Sequence, residues 1–428
     1  MTENLLQFIW QHRLYSTKEP LQSTEGETII VLHPGSLNTH AGPDFLEARI
    51  VLNNTLWAGN IEVHVKSSDW ILHQHQKDEN YDRLILHVVY NNDAGISTSK
   101  GSIFSTLELK SYVDESLFDR YKQLMESNRF IPCESIIGSV PSLTIQIQLE
   151  RMVAERLEEK TGRILELLTL KNNNWQEVFY IQLARAFGIH INQDAFERLA
   201  LQTPLHLKKK YKNQQPIIEA LLFGQAGFLS DYFDEAYPDL LHSEYQYLKK
   251  LYDLEPISVH LWKFLRLRPA NFPTIRLAQF AQLIFQSTHL FSKMVNAQSL
   301  NDLENLFDID VSGYWLNHYT FRDESAHRKK HLGKSFIHTL ISNAVVPSLF
   351  IYGKLQGKSN LCEKAIYFLQ QLPAESNQII RKWESKMGVA KNAADTQALL
   401  QLHKKYCIPK KCLSCGIGYH ILKQGDKK

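Results

Sequence analysis

The chain of 428 residues is 44% hydrophobic and 22% charged, with a formal net charge of only +3. This composition is typical of a globular protein with two or three domains, and it excludes a chain whose overall charge alone would indicate nucleic-acid binding. The N-terminus lacks the basic segment and apolar core of a signal peptide, and no apolar run approaches the ~18 residues of a membrane span. The five cysteines, an odd number, fit a reducing compartment better than a disulfide scaffold. We therefore expect a cytoplasmic protein.

The first third of the chain mixes helical and strand patterns. Amphipathic helical periodicity covers residues 3–14, and a polar segment at 70–81 is also predicted to be helical. Period-two strand patterns occur at residues 28–32, 48–52, 59–66, 83–90 and 104–109. The order of helix, strands, helix and strand predicts an α/β core.

The rest of the chain is dominated by helical periodicity, interrupted by prolines. We therefore expect an α+β protein with an α/β domain at 1–130, a linker at 131–143, a large all-α domain at 144–405 and a cysteine-bearing tail at 406–428.

Two acidic residues in the first domain lie at positions suited to binding a divalent cation. Asp44 stands at a turn-to-strand junction, and Glu62 lies eighteen residues further on, in a strand pattern. Because successive strand side chains point to opposite faces, Glu62, His64 and Lys66 share one face. Carboxylates from neighbouring elements hold a hard cation such as Mg²⁺ or Mn²⁺, and a lysine or histidine can position the attacking water. The pattern predicts metal-dependent phosphodiester hydrolysis.

Three further histidines surround this motif in the sequence. His73 and His75 cannot share a helix face, because two residues are ~200° apart on a helix, but they can share one in an extended segment. One of them could serve as a general base or as a positive partner for the scissile phosphate; the alternative is a capped helix with surface histidines. His87 lies on an apolar strand, and this position favours a buried core histidine. It could still support the site by orienting a residue that binds the metal.

The C-terminal tail contains Cys407, Cys412 and Cys415, and its Cys-x2-Cys spacing is typical of a metal or cluster site. A fourth ligand is needed, and both His420 and Cys133 are candidates. The site could hold zinc or an iron–sulfur cluster. The alternative is a set of free cysteines in a basic tail.

Basic residues occur in clusters despite the low net charge. We expect two clusters in the helical domain to contact a nucleic-acid backbone, with solvated surface as the alternative. They comprise Lys263, Arg266, Arg268, Lys329 and Lys330.

The chain resembles a bacterial family of unknown function over nearly its full length. The runs that carry this resemblance are Gly42–Phe45, Ile61–His64, Ser68–Trp70 with His73 and His75, Leu86–Val89, His318–Phe321 and the terminal cysteines. This family implies no activity.

The N-terminal part also resembles the PD-(D/E)XK, restriction-endonuclease-like superfamily. Its signature is a Pro-Asp pair, a strand that carries an acid, and a lysine two residues after that acid. Pro43-Asp44 and Glu62 match in type and order, but His64 occupies the lysine position and Lys66 lies two residues further along. Either Glu62 remains the ligand and the lysine is shifted along the strand, which moves the ammonium by ~6.6 Å because a strand rises ~3.3 Å per residue, or His64-Val65-Lys66 is the (D/E)XK unit with histidine in place of the acid.

Some nucleases of that superfamily also contain an iron–sulfur cluster held by one cysteine near the nuclease core and three at the chain end. The likeness implies Cys133 as the lone cysteine, although Cys133 follows the catalytic motif, whereas the lone cysteine usually precedes it.

The resemblance implies a restriction-endonuclease-like core and a nuclease that cleaves DNA with Mg²⁺ or Mn²⁺. Asp44 and Glu62 would hold the metal, His64 or Lys66 would position the nucleophile, and His73 or His75 would assist. Two alternatives remain open. One is a metal-dependent hydrolase of a small molecule that uses the histidines as ligands, and the other is a catalytically degenerate nucleic-acid-binding or scaffold protein.

Overall fold

A computed structural model describes residues 1–97, 104–203, 205–211, 213–231, 233–311 and 313–424. The chain forms two compact units. Unit 1 comprises residues 1–148 together with 402–428, and unit 2 comprises residues 149–401. The expected α+β architecture is confirmed, with an N-terminal sheet and a large helical region. The cysteine-bearing tail belongs to the same unit as the sheet.

The strands are β1 Leu21–Gln22, β2 Thr28–His33, β3 Ser36–Leu37, β4 Phe45–Leu52, β5 Thr55–Lys66, β6 Leu84–Asn91, β7 Thr106–Glu108, β8 Asp310–Val311 and β9 Lys330–His331. The helices of unit 1 are α1 Glu3–Gln11, α2 Asp69–Leu72, α3 Glu115–Glu126 and, after the helices of unit 2, α18 Gly416–Lys423. Helix α4, Ser142–Leu170, contains the boundary between the units.

The helices of unit 2 are α5 Trp175–Phe187, α6 Gln193–Gln202, α7 Leu205–Lys210, α8 Gln215–Gln225, α9 Ala236–Tyr252, α10 Pro273–Gln286, α11 Leu290–Asn296, α12 Leu300–Leu306, α13 Lys334–Leu340, α14 Val346–Leu355, α15 Ser359–Gln371, α16 Gln378–Met387 and α17 Ala393–Leu402. The last residue of α17 is the first of the tail segment that belongs to unit 1.

The strands of unit 1 form one mixed sheet in the order β1-β2-β4-β5-β6-β7, with β3 paired to β4. Pairing is antiparallel from β1 to β5 and parallel from β5 through β6 to β7. A parallel pair needs a crossover connection, and here it contains α2 and two short 3₁₀ turns. The crossover therefore starts where β5 ends, next to Glu62 and His64.

Apolar burial holds helix α1 against β5. The helix begins at Thr2, whose hydroxyl accepts a hydrogen bond from the Leu5 amide. Its Leu6, Ile9 and Trp10 side chains are fully buried, as are Ile61 and Val63 on β5. Burying a large apolar side chain contributes ~1.5–3 kcal/mol, so this contact fixes α1 over the middle of the sheet.

The strand predictions are confirmed, but the helix predicted at 70–81 is wrong. Helix α2 ends at Leu72, and two 3₁₀ turns follow, at His75–Lys77 and Glu79–Tyr81. The physical reason is Gln74, whose φ of 61° is left-handed and cannot continue a helix. The polar run after Leu72 also offers no apolar stripe for packing.

One helical segment of unit 2, Lys334–Leu355, is long and apolar enough to cross a membrane by length and composition alone. It consists of α13, a π-helical turn and α14, and 78% of its most apolar window is buried inside the protein. The segment is thus a core helix, as found in soluble proteins. The cytoplasmic location expected from the sequence stays a prediction.

Candidate metal centre

The pairing of β4 with β5 places two carboxylates opposite each other. Phe45 pairs with Ile61 in antiparallel register, so Asp44 faces Glu62. The Asp44 amide donates a hydrogen bond to Glu62 Oε2 at 3.0 Å, and the Val63 amide donates one to Asp44 Oδ2 at 3.1 Å. Each carboxylate is fixed through one oxygen by the backbone of the other strand. Glu62 is only 4% exposed.

The loop before β4 holds Asp44 in position. The Asn38 amide group donates to Pro43 O at 3.0 Å, and the Asn38 backbone N–H donates to Asp44 O at 2.7 Å. Gly42 has a φ of +104°, which side chains rarely permit. A bulge follows in β4 at Glu47, with a φ of 57°. Bulges often lie next to functional sites, where they redirect side chains.

The two carboxylates repel each other when both are ionised. Burial, together with the charge of Glu62, raises the pKa of Asp44 to about 7, although hydrogen bonds from the Gln7 side chain and the Val63 amide lower it. In the absence of a cation, the folded protein therefore favours a proton on Asp44 at pH values where an exposed aspartate is ionised. A divalent cation between the two groups would compensate the same repulsion.

Imidazoles surround the second oxygen of Glu62. His75 Nε2 lies 3.2 Å and His64 Nε2 lies 3.5 Å from Glu62 Oε1. His73 Nδ1 lies 3.1 Å from His64 Nε2, and one ring nitrogen of each of the three histidines lies within 4.8 Å of the others. Bonds of ~2.0–2.1 Å around a tetrahedral metal ion place neighbouring ligand atoms ~3.3–3.4 Å apart. The spacing of these atoms therefore fits a shared metal ion.

The backbone after α2 explains how His73 and His75 converge. The helix ends at Leu72, and the left-handed Gln74 reverses the chain between the two histidines. His75 then packs against Tyr81, with ring centroids 4.0 Å apart, and against Trp70 at 5.3 Å. These contacts keep His75 half-buried, whereas His73 is exposed.

His87 supports His64 from β6. Its Nε2 lies 2.9 Å from His64 Nδ1, and its side chain is fully buried. Burial and neighbouring imidazoles lower the pKa of His64 to about 2 and that of His87 to about 3. Both rings are thus neutral at physiological pH, which is the form that binds a metal. The His64–His87 contact fixes the orientation of the ligand ring.

Sequence reasoning missed three residues at this site. Gln7 hydrogen-bonds Asp44, and the ionisation of Glu3 is coupled electrostatically to His73 and Glu62. Burial raises the pKa of Glu3. The third is Tyr81, the ring that covers His75. Glu3 and Gln7 are spaced i, i+4 on α1 and therefore share one helix face, and this polar pair was the available signal.

Lys66 is not brought into this cluster. It is exposed at the end of β5, and its backbone amide donates to Asp69 Oδ2 at 2.9 Å. Among the described residues, its ammonium forms no ion pair with Asp44 or Glu62. The position two residues after Glu62 is filled by His64 instead.

The four cysteines proposed for the tail site lie near one another in unit 1. Cys412 is buried, and Cys133, Cys407 and Cys415 are half-buried. Burial, with added repulsion from Cys415 and Cys412, raises the pKa of Cys133 to about 12. Burial also raises the pKa of Cys407, with contributions from the other three thiols. This electrostatic coupling favours Cys133 as the fourth member. The His420 ring instead lies 2.9 Å from the Gln424 side-chain nitrogen.

The basic residues predicted to bind nucleic acid fall into two different environments of unit 2. Lys263, Arg266 and Arg268 are exposed in the segment before α10. Lys329 is exposed, but Lys330 is only 5% exposed and lies at the start of β9. The first cluster is an open surface, whereas the second lines a cavity.

The fold and the cluster together define an α+β protein of two units that carries a group of carboxylates and imidazoles on its N-terminal sheet. The chain belongs to the DUF2851 family, described as a protein of unknown function, whose family model matches residues 3–378. The resemblance to a family of unknown function is thereby confirmed over residues 3–378, whereas the terminal cysteines lie outside the matched range. Comparisons with curated proteins and with solved structures found no match.

Proposed function

We propose that this protein is a divalent-metal-dependent nuclease whose active site is formed by Asp44, Glu62 and the histidines around them. The observation that carries the proposal is the cross-strand pair of carboxylates, with two imidazole nitrogens 3.2 and 3.5 Å from the second oxygen of Glu62. Such a mixture of oxygen and nitrogen donors on one face of a sheet is suited to holding a cation beside a phosphate.

The order of elements supports a restriction-endonuclease-like core. Helix α1, strands β2, β4 and β5, the α2 crossover and strand β6 follow one another as helix, strands, helix and strand. Pro43-Asp44 lies directly before β4, and Glu62 lies on the adjacent β5. This is the order implied by the resemblance to the PD-(D/E)XK superfamily.

The donor set favours Mn²⁺ over Mg²⁺. Mg²⁺ binds oxygen ligands almost exclusively, whereas imidazole suits transition metals. Asp44, Glu62, His64 and His75 would hold the ion. When bound, it would supply Lewis-acid activation of water and stabilisation of charge on the phosphate oxygens.

Other groups of the protein would orient the metal ligands and accept the proton from water. His87 orients His64, and Gln7 and the Val63 amide fix the Asp44 carboxylate. His73 is exposed, with Nδ1 3.1 Å from His64 Nε2, and its other ring nitrogen would accept a proton from the attacking water. Glu3 would add negative charge near His73 and Glu62.

A second function is favoured by one specific observation. Three imidazoles with ring nitrogens within 4.8 Å are a typical donor set for zinc or another transition metal. A metal-dependent hydrolase of a small phosphorylated or carboxylated molecule would use the same residues. In a third alternative, the core would bind nucleic acid without cleaving it.

Cleavage assays with the full chain separate these functions. We expect single- or double-stranded DNA to be cleaved with Mn²⁺, more slowly with Mg²⁺, and not at all with EDTA. Hydrolysis of p-nitrophenyl phosphate without DNA cleavage would instead assign a small-molecule hydrolase. Salt-sensitive DNA binding without cleavage under any metal would assign a non-catalytic binder and refute the nuclease.

A further inference from the structure

Unit 2 contains a cavity of about 450 Å³ whose described lining residues include five basic side chains and no carboxylate. We call it the basic cavity. It lies between α10, the segment that leads into β9, and α13. Its basic residues are Arg276, Arg328, Lys329, Lys330 and His331.

Arg276 is the most unusual of these residues. It is 8% exposed, and its guanidinium stacks on the Phe336 ring at 3.5 Å from the centroid. It donates only to neutral oxygens, Gln279 Oε1 at 2.8 Å and Asn271 Oδ1 at 2.6 Å. Its Nε has no hydrogen-bond partner within the described structure. A buried charge without a counter-ion is costly, so this arrangement points to an anion supplied from outside.

Lys330 repeats the pattern at the start of β9. It is 5% exposed, and its ammonium donates to Leu316 O at 3.0 Å and Arg328 O at 3.3 Å. Gln279 connects the two residues, because it accepts from Arg276 and its Nε2 donates to the backbone oxygen Lys330 O at 3.1 Å. The two buried cations are thus fixed in one hydrogen-bonded frame, and neither is paired with a carboxylate in the part of the chain that the structure describes.

A second cavity of about 500 Å³ lies next to the basic cavity, since Ile189 and Thr339 line both. The second cavity adds Lys160, whose ammonium contacts the neutral oxygens Asn343 Oδ1 at 2.9 Å and Gln397 Oε1 at 3.0 Å. Arg156, Arg163 and Arg185 also line it, together with Glu159, and Glu197 forms ion pairs with Arg163 and Arg185. In the basic cavity, the buried cations that form no carboxylate ion pair within the described structure are Arg276 and Lys330.

We infer that these neighbouring cavities bind the phosphodiester backbone of a nucleic-acid strand, an inference that rests on the proposed nuclease function. Two neighbouring cavities with basic lining residues suit successive phosphates better than one isolated anion. Buried guanidinium and ammonium groups recognise phosphate without regard to base sequence. Lys329 and Arg328, exposed at the rim, would meet the strand as it enters.

Binding of a fluorescein-labelled single-stranded oligodeoxynucleotide to the full chain tests this inference without relying on cleavage. The measurement is made in EDTA, by fluorescence anisotropy over a range of salt concentrations. We expect Arg328→Gln with Lys329→Gln to weaken binding roughly tenfold and to reduce the slope of log K against log salt by about 0.7 for each lost contact. Because both residues are exposed, the fold should be unaffected.

Arg276→Met tests the buried wall, with circular dichroism as the folding check, and should weaken binding at least as much. The matched control is Lys249→Gln with Lys250→Gln on α9, which removes the same charge from unit 2 and should leave the slope unchanged. Equal slopes in all variants would overturn the inference. Variants that lose binding of inorganic pyrophosphate but keep binding of the oligonucleotide would also overturn it. Retained strand binding in a protein that cleaves nothing would leave this inference standing and refute only the nuclease.

Discussion

Replacing Glu62 by glutamine is expected to reduce Mn²⁺-dependent DNA cleavage by about a thousandfold or more. Glutamine keeps an oxygen that can accept the Asp44 amide hydrogen bond, so β4 and β5 should stay paired. It removes the negative charge that would hold the ion between Asp44 and the imidazoles of His64 and His75. The rate of DNA cleavage at saturating Mn²⁺ and the Mn²⁺ concentration for half-maximal activity are the quantities to measure.

Glu47→Gln is the matched control for this substitution. Glu47 lies in the β4 bulge, three residues after Asp44, but its side chain is exposed. Glu47→Gln removes one negative charge, as Glu62→Gln does. It should leave the rate of DNA cleavage within about twofold of that of the unmodified protein. If both variants retained full activity, the carboxylate pair would not be the active site.

Replacing Cys133 by serine is expected to remove the metal ion or cluster of the tail and to destabilise unit 1. Metal binding at a structural site contributes directly to folding, and a loss of several kcal/mol in a unit of this size lowers the unfolding temperature by roughly 10 °C. The measurement is zinc and iron analysis of anaerobically purified protein, together with thermal unfolding. Iron with sulfide would indicate an iron–sulfur cluster, and zinc alone a four-thiolate zinc site.

Cys362→Ser is the control for the tail site, because Cys362 lies on α15 in unit 2 and its thiol lies 3.4 Å from Phe350 O. It should keep the full metal content. His420→Ala should also keep it, since in the proposed site the thiols of Cys133, Cys407, Cys412 and Cys415 would supply all four ligands. Protein that contains neither zinc nor iron would contradict the proposed site.

The carboxylate pair could be predicted from the sequence because both of its determinants are local. Pro43-Asp44 marks the start of a strand, and the alternation from Glu62 to Lys66 assigns the faces of the next one. Two adjacent antiparallel strands then leave little freedom in where the acids meet. The same alternation also placed Lys66 on the correct face, but it could not show that Lys66 lies too near the strand end to reach the pair.

The convergence of His73 and His75 could not be predicted, because it depends on a single backbone angle at Gln74. No glycine or proline in this segment marks a break in the helix, and a non-glycine residue in the left-handed conformation is uncommon. The position of Glu3 depends on the docking of α1 against β5, a contact between residues far apart in the sequence.

Arg276 shows the same limitation in unit 2. A single arginine in the amphipathic pattern of α10 indicates a surface position, because arginine is seldom buried. Only the packing of α10 against Phe336 and the segment around Lys330 reveals that it is enclosed. The cluster at Lys263, Arg266 and Arg268 has the stronger sequence signal, and its three side chains are exposed on the surface.

Anomalous X-ray scattering from crystals grown with Mn²⁺ tests the central claim most directly, because it locates the ion independently of any activity. We expect a manganese peak within ~2.0–2.4 Å of an oxygen of Asp44, of Glu62 Oε1 and of at least one imidazole nitrogen of His64 or His75. The absence of a peak between the two carboxylates, or a peak found only elsewhere on the protein, would contradict this claim.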